Sequence, residues 1–387
     1  MISLISPIVV FSAVWIIQAL AYLVLPINLL PPSQEAWLIV TTGILSLFAG
    51  SLVFKVIDGY ITQTRTSTFS KTSQSTLVSR KLLYSSIALS MAVAVYLGMT
   101  IDKNEVGFIH SLKESLLAEA VAESKSITYL IYFFIYQVLL TLYYFNCNGL
   151  KKDGRTALIC SAAVISAIMS GSRGLLVFFI IALIPCIASQ QEKLNLNARL
   201  LLKLTISVVI LFFLYPFIFQ GMATESSFEW LVLIDYVSIY LFSGIAAFSD
   251  YLKTDIPRYD CLLAAPKPLL LLLNKLFGIN LALACPPYYD EKLLPLPTNV
   301  YSIFFAPHHD FGMMGVVAYL FIIGFITQMF FTRGCWHDNC IWRFFYCIFF
   351  YSLVFSFFEE QFSRGAIYYF FGGVAVFSNR LIRRLDT

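Results

Sequence analysis

Residues 156–189 read TALICSAAVISAIMSGSRGLLVFFIIALIPCIAS, and how this stretch is divided decides the fold. It is too long for one ordinary membrane span of about 20 residues. Ser170-Gly171-Ser172-Arg173-Gly174 interrupts it midway, so the sequence predicts two short helices that turn back on each other. Lys151, Lys152 and Arg155 precede the stretch, and Lys193, Arg199 and Lys203 follow it. Basic flanks stay on the cytoplasmic side of a membrane, which puts both ends inside and Arg173 at or just below the opposite face.

Working outward, further apolar runs lie near 6–25, 36–55, 82–101, 127–147, 203–219, 313–331, 341–358 and 366–380, and with the short pair they make about ten spans. The composition agrees, with 59% hydrophobic residues, 12% charged residues, 36 Phe and 22 Tyr. The mean hydropathy is +0.79. Such a chain cannot present an ordinary water-facing surface, so the expected class is an all-α polytopic integral membrane protein partnered by the lipid bilayer. A net charge of +4 is too small to imply nucleic-acid binding. Met1 to Pro7 carries no basic residue and no small-x-small site follows, so the first segment is expected to remain in the membrane. With both termini inside, the inner segments 55–81, 148–156, 190–203, 332–343 and 380–387 hold 16 of the 26 Lys and Arg but only 5 of the 22 Asp and Glu. Residues 228–249 are apolar enough to span but contain Asp235. They read either as a re-entrant or interfacial helix on the outer side, or as a crossing matched by a second one at 268–285, which would make twelve spans.

This layout divides the chain into N-terminal spans (1–249), a large outer loop (250–312) and C-terminal spans (313–387). The loop from Asp250 to Asp310 is rich in proline, and Leu269 to Leu273 reads as a lid helix on the membrane surface. The Ser/Thr-rich stretch Thr62 to Ser79 reads as a flexible inner connector. Of eight cysteines only Cys261 and Cys285 face an oxidising side, which makes them the candidate disulfide. Cys335-Trp336-His337-Asp338-Asn339-Cys340 supplies at most three good ligands on a short turn and reads as a reduced connector, with no metal.

The residues with chemical potential collect on the outer side. Ser172 is a good N-cap, Gly174 allows close backbone approach, and Arg173 beside a helix start suits phosphate. Ser363-Arg364-Gly365 repeats the tripeptide directly before another apolar helix, so two anion sites are expected at Arg173 and Arg364. The simpler reading is a chance repeat in which each arginine snorkels to lipid headgroups. Asn299, Tyr301 and His308 are candidate substrate contacts. His309, Asp310 and Glu360 are candidate bases for activating a hydroxyl. Their structural alternatives are interfacial polar anchors for His308 and His309, a helix-dipole partner for Asp310, and a solvated or Arg-paired cap for Glu360. No Asp-x-Asp, Walker loop or dinucleotide fingerprint occurs, so no cofactor is expected.

Gly171-Ser172-Arg173-Gly174, the long outer loop, Thr298-Asn299-Val300-Tyr301 and Asp310-Phe311-Gly312-Met313-Met314-Gly315 together resemble the Wzy-type O-antigen polymerases of Gram-negative bacteria. The likeness covers the whole chain in length and layout and is sharpest over 170–176 and 298–325. His308 and His309 are no part of it. The resemblance implies a GT-C-like glycosyltransferase in the bacterial inner membrane, acting at the periplasmic face on undecaprenyl-pyrophosphate-linked oligosaccharides. It also implies that the substrate touched by Asn299, Tyr301 and His308 is a glycan. A chain-length regulator and a flippase of the same pathway would be its partners. The growing glycan would pass from one lipid pyrophosphate to the non-reducing end of another unit. The leaving pyrophosphate is a stable anion, so the site needs charge stabilisation, which suits the bidentate fork of arginine, and a base. Two rivals use related substrates. An O-antigen ligase would transfer the glycan to lipid A-core, and a flippase or transporter would be expected to show two similar halves, which are not visible here.

Overall fold

The computed structural model describes residues 2–24, 29–64, 77–100, 126–150, 153–170, 173–190, 230–253 and 300–385, with short pieces between 263 and 298. The protein is helical throughout its long elements, and its apolar helices make it a polytopic membrane protein. These are α1 (Pro7–Val24), α2 (Gln34–Thr64), α3 (Arg80–Thr100), α4 (Ser126–Asn148), α5 (Gly154–Met169), α6 (Arg173–Ser189) and α7 (Trp230–Tyr251). A two-residue antiparallel pair, β1 (Lys292–Leu293) and β2 (Pro297–Thr298), precedes α8 (Phe305–Phe331), α9 (Cys340–Val354), α10 (Gln361–Arg364) and α11 (Ala366–Leu385). Six of the described helices are long and apolar enough to cross a membrane, and α5 and α6 are shorter apolar helices. Their outward faces carry bare hydrocarbon, with Leu23 and Met99 each 81% exposed and Met314 73%, as a lipid-facing surface requires.

The helices appear where the apolar runs predict them, and the break at Ser170 falls between α5 and α6. The run at 203–219, the lid helix at Leu269 to Leu273 and the cysteines Cys261 and Cys285 lie outside the described residues. A short helical turn from Phe305 to Asp310 precedes the predicted span, and the non-helical backbone at Phe311 and Gly312 separates it from the long helix that follows. Of the segment at 228–249, the described part lies in one unbroken helix, Trp230–Tyr251.

The chain forms two compact units, each assembled from separated stretches: 1–72, 229–332 and 349–367 in the first, and 73–228, 333–348 and 368–387 in the second. In the first unit α2 and α8 pack backbone to backbone. A Cβ on Gly50 would strike the Phe321 carbonyl, and one on Gly324 would strike the Leu47 carbonyl. The Ser51 hydroxyl donates to the Gly324 carbonyl at 3.1 Å. Burial of apolar surface gives little drive between helices in lipid, so close approach at small residues and buried polar contacts carry the association. The same device ties α1 to α7, where Gln18 Nε2 donates to the Leu241 carbonyl (2.7 Å) and the Tyr22 hydroxyl to that of Phe242 (2.8 Å). Trp15 donates to the Ser356 hydroxyl (3.2 Å) and lies edge-on to Phe304, with centroids 4.9 Å apart.

In the second unit a polar seam runs between α3, α4 and α5. Ser86 donates to Gln137, Gln137 Nε2 donates to Thr141 at 3.3 Å, and the Ser166 and Ser90 hydroxyls meet at 3.5 Å. Arg343, only 5% exposed, donates to the Asn146 side-chain oxygen (3.2 Å), to the Asn146 carbonyl and to Asp338. An arginine inside an apolar segment is costly unless fully partnered, and these acceptors supply that partnership.

Candidate functional site

The first unit gathers most of the described candidate residues at the entry to α8. The chain leaves β2, passes Tyr301 and turns into helix at Phe305. The Ser302 amide donates to the Gly244 carbonyl (3.1 Å) and the Ile303 amide to that of Ser356 (2.9 Å), which pins this entry to α7 and to the segment after α9. Tyr301 stacks on Phe305, with centroids 4.3 Å apart, and is 2% exposed. His308 is buried edge-on to Phe248 and Tyr251 (5.7 and 6.2 Å).

His309 and Asp310 follow on the same helical turn. Their side chains are 0% and 1% exposed, with imidazole Nδ1 3.1 Å from Asp310 Oδ1. Asp310 also receives two backbone amides from the long loop, Leu263 N–H on Oδ1 (2.9 Å) and Ala264 N–H on Oδ2 (2.8 Å). The backbone then leaves helical geometry. Phe311 stands at φ −141°, ψ 17° and Gly312 at φ 60°, ψ −149°, after which the long part of α8 begins. Such a conformation belongs almost to glycine alone. Asp310 precedes the break before the long part of α8, and its carboxylate is taken up by two loop amides and one imidazole. The arrangement can hold the imidazole in a fixed orientation with Nε2 on the far side of the ring from the carboxylate.

Glu360 is a second buried carboxylate, 2% exposed, at the N-cap of α10. It accepts from the Phe362 amide (2.8 Å), the Ser363 amide (2.9 Å), the Ser363 hydroxyl and the Tyr319 hydroxyl. Burial pushes its carboxyl above the ordinary carboxylate range, and the four donors pull the other way. Of the alternatives read from sequence, a cap is what the geometry shows, but it is buried and held by amides and hydroxyls. Tyr319 was not among the sequence candidates, since nothing distinguishes its hydroxyl from those of other tyrosines in apolar helices.

The two Ser-Arg-Gly tripeptides differ locally. Arg173 is the first residue of α6, whereas Arg364 is the last residue of α10, closed by the Gly365 amide donating to the Gln361 carbonyl at 3.0 Å. Glu360 accepts the amides of Phe362 and Ser363, so the second tripeptide closes a helical turn and lies directly before α11. Gly174 lies half-buried in the first turn of α6. Ser172, Asn299 and the side chains of Arg173 and Arg364 lie outside the described parts. Among the described residues no group of three His, Cys, Asp or Glu is placed to hold a metal ion. Comparison with protein-family models, with curated proteins and with solved structures finds no match to this chain.

Proposed function

We propose that the chain is a glycosyltransferase of the bacterial inner membrane that polymerises lipid-linked oligosaccharide repeat units at the periplasmic face. In this reading about ten spans form a GT-C-like scaffold, both termini are cytoplasmic, and a chain-length regulator and a flippase work beside it. The observation that carries the reading is buried Asp310 at the helix break, a residue of the stretch that resembles the O-antigen polymerases, tied to the long loop by two backbone amides and paired with His309, which is outside that resemblance.

In the proposed reaction the acceptor hydroxyl loses its proton to His309, whose Nδ1–H is held by Asp310, and the oxygen attacks the anomeric carbon of the donor sugar. The bond to the undecaprenyl pyrophosphate breaks, and the electron pair leaves on the phosphate oxygen. Arg173 and Arg364 meet the pyrophosphates, with Ser172 and Gly174 supplying close backbone, while Asn299, Tyr301 and His308 contact the glycan. Asp310 is thereby a positioning residue. Glu360, already occupied by four donors, supports the adjoining turn.

The test is the lipopolysaccharide of a deletion strain complemented with variants. Loss of a polymerase leaves one repeat unit on lipid A-core, whereas loss of a ligase or flippase leaves none, and the latter pattern would refute the proposal. Arg173→Ala or Arg364→Ala should abolish chain extension while the protein still reaches the membrane. Arg→Lys should rescue poorly, because a point charge lacks the bidentate fork. Normal extension in both alanine variants would remove the two-anion element.

A further inference from the structure

In the second unit, the ends of α3, α4 and α5 line an open cavity of about 520 Å³ with no part in the reaction above, and the charged side chains along it are exposed. Arg80, Lys81 and Tyr84 line it from the first turns of α3, Tyr144 from the last turns of α4, and Asp153 and Arg155 from the start of α5. We propose that it binds a phosphate group, carried either by an anionic lipid headgroup or by a small soluble phosphorylated molecule. The inference stands independently of the polymerase reading.

Charge comes first. Among the described lining residues three cations, of which Lys81 has contacts of its own, face one carboxylate, and that carboxylate is committed, since Asp153 accepts the Thr156 amide at 2.8 Å as the N-cap of α5. Among the described residues, the guanidinium groups of Arg80 and Arg155 have no hydrogen-bond or ion-pair partner. The first turns of α3 and α5 both contribute lining, so two positive helix ends add to the side-chain charge.

The rim is also held in place. The Val78 amide donates to Asn148 Oδ1 and the Ser79 amide to Asn379 Oδ1, each at 2.8 Å, which fixes the backbone directly before Arg80. A cavity of this size falls in the range of small-ligand sites and is larger than phosphate alone needs, so it suits phosphate with a glycerol or sugar attached. Its position matches. The apolar windows Arg80–Leu97 and Leu130–Asn148 end at the cavity, so it lies at the depth where hydrocarbon gives way to headgroups. Basic and tyrosine side chains are favoured at that boundary.

The test uses the full-length protein in detergent. Native mass spectrometry would compare retention of phosphatidylglycerol and phosphatidylcholine with identical acyl chains, and thermal shift would follow added glycerol phosphate. Each cation beside an anionic headgroup is worth about fivefold in affinity, so Arg80→Gln with Arg155→Gln should weaken phosphatidylglycerol retention roughly 25-fold. Arg383→Gln, outside the cavity, should leave it unchanged. If glycerol phosphate stabilises the wild-type protein and displaces the lipid, the source is a soluble phosphate; if only phosphatidylglycerol binds, it is a headgroup. Equal retention of both lipids with no response to glycerol phosphate overturns the proposal, as does a double variant that binds like wild type. The glycerol phosphate measurement needs no variant, so a misfolded double variant still leaves the proposal open to refutation.

Discussion

Gly312 holds φ 60° and ψ −149° between two helical segments, a conformation closed to residues with a Cβ. Gly312→Ala should therefore lower stability by about 1–3 kcal/mol, read as a lower melting temperature in detergent. Glu360 makes a pH prediction. Its folded carboxyl sits above the ordinary range, so between the two values the folded state keeps a proton that the unfolded state has lost. Its contribution is complete below the ordinary carboxylate range and declines as pH rises through the raised one. The melting temperature should follow that slope, and Glu360→Gln should flatten it. A slope identical in the variant would mean that another group titrates. The pair at 309 and 310 separates chemistry from fold. His309→Gln should remove turnover while the melting temperature holds within a few degrees, whereas Asp310→Asn sets its amide NH₂ against one of the two loop N–H groups and should lower both. Arg343→Leu leaves the buried Asn146 side chain without its charged donor and should cost about 1–3 kcal/mol.

At the scale of elements, the α2–α8 joint predicts that Gly50→Ala or Gly324→Ala forces two backbones apart, at about 1–3 kcal/mol each. Fluorescence-detected size exclusion after heating would show it, and wild-type resistance in both variants would mean that the joint adapts. The helices themselves were legible in the sequence because apolar length alone demands them, and the interruption at Ser170 was legible because its small and charged residues cannot continue a lipid-facing run. The start of α8 was not. Pro307, His308, His309 and Asp310 look like loop residues, and only their burial against Phe248, Tyr251 and Phe305 makes a helical turn there affordable. The site was half legible. Polar residue types marked 308–310, but the amides of Leu263 and Ala264 that hold Asp310 come from a stretch with no local signal, and the different ends served by the two Ser-Arg-Gly turns were set by Glu360, three residues upstream of Ser363.

For the whole molecule, the charge asymmetry predicts that cysteines placed at Thr66 and Lys152 in a cysteine-free background react only from the cytoplasm, and those at Asp255 and Asp290 only from the periplasm. Labelling of Asp255→Cys from the cytoplasm alone would favour the twelve-span layout. The interleaving of the two units also bears on how the protein is made. Ser51 and its acceptor Gly324 are 273 residues apart in sequence. At a synthesis rate of about 5–20 residues per second, α2 waits roughly 15–55 s after leaving the ribosome before α8 exists. During that interval its glycine-lined face has no native neighbour from α8, and the helices made in between belong largely to the other unit. A membrane insertase or chaperone that shields α2 for that time would raise the yield of folded protein, and slowing translation upstream of α8 should lower it.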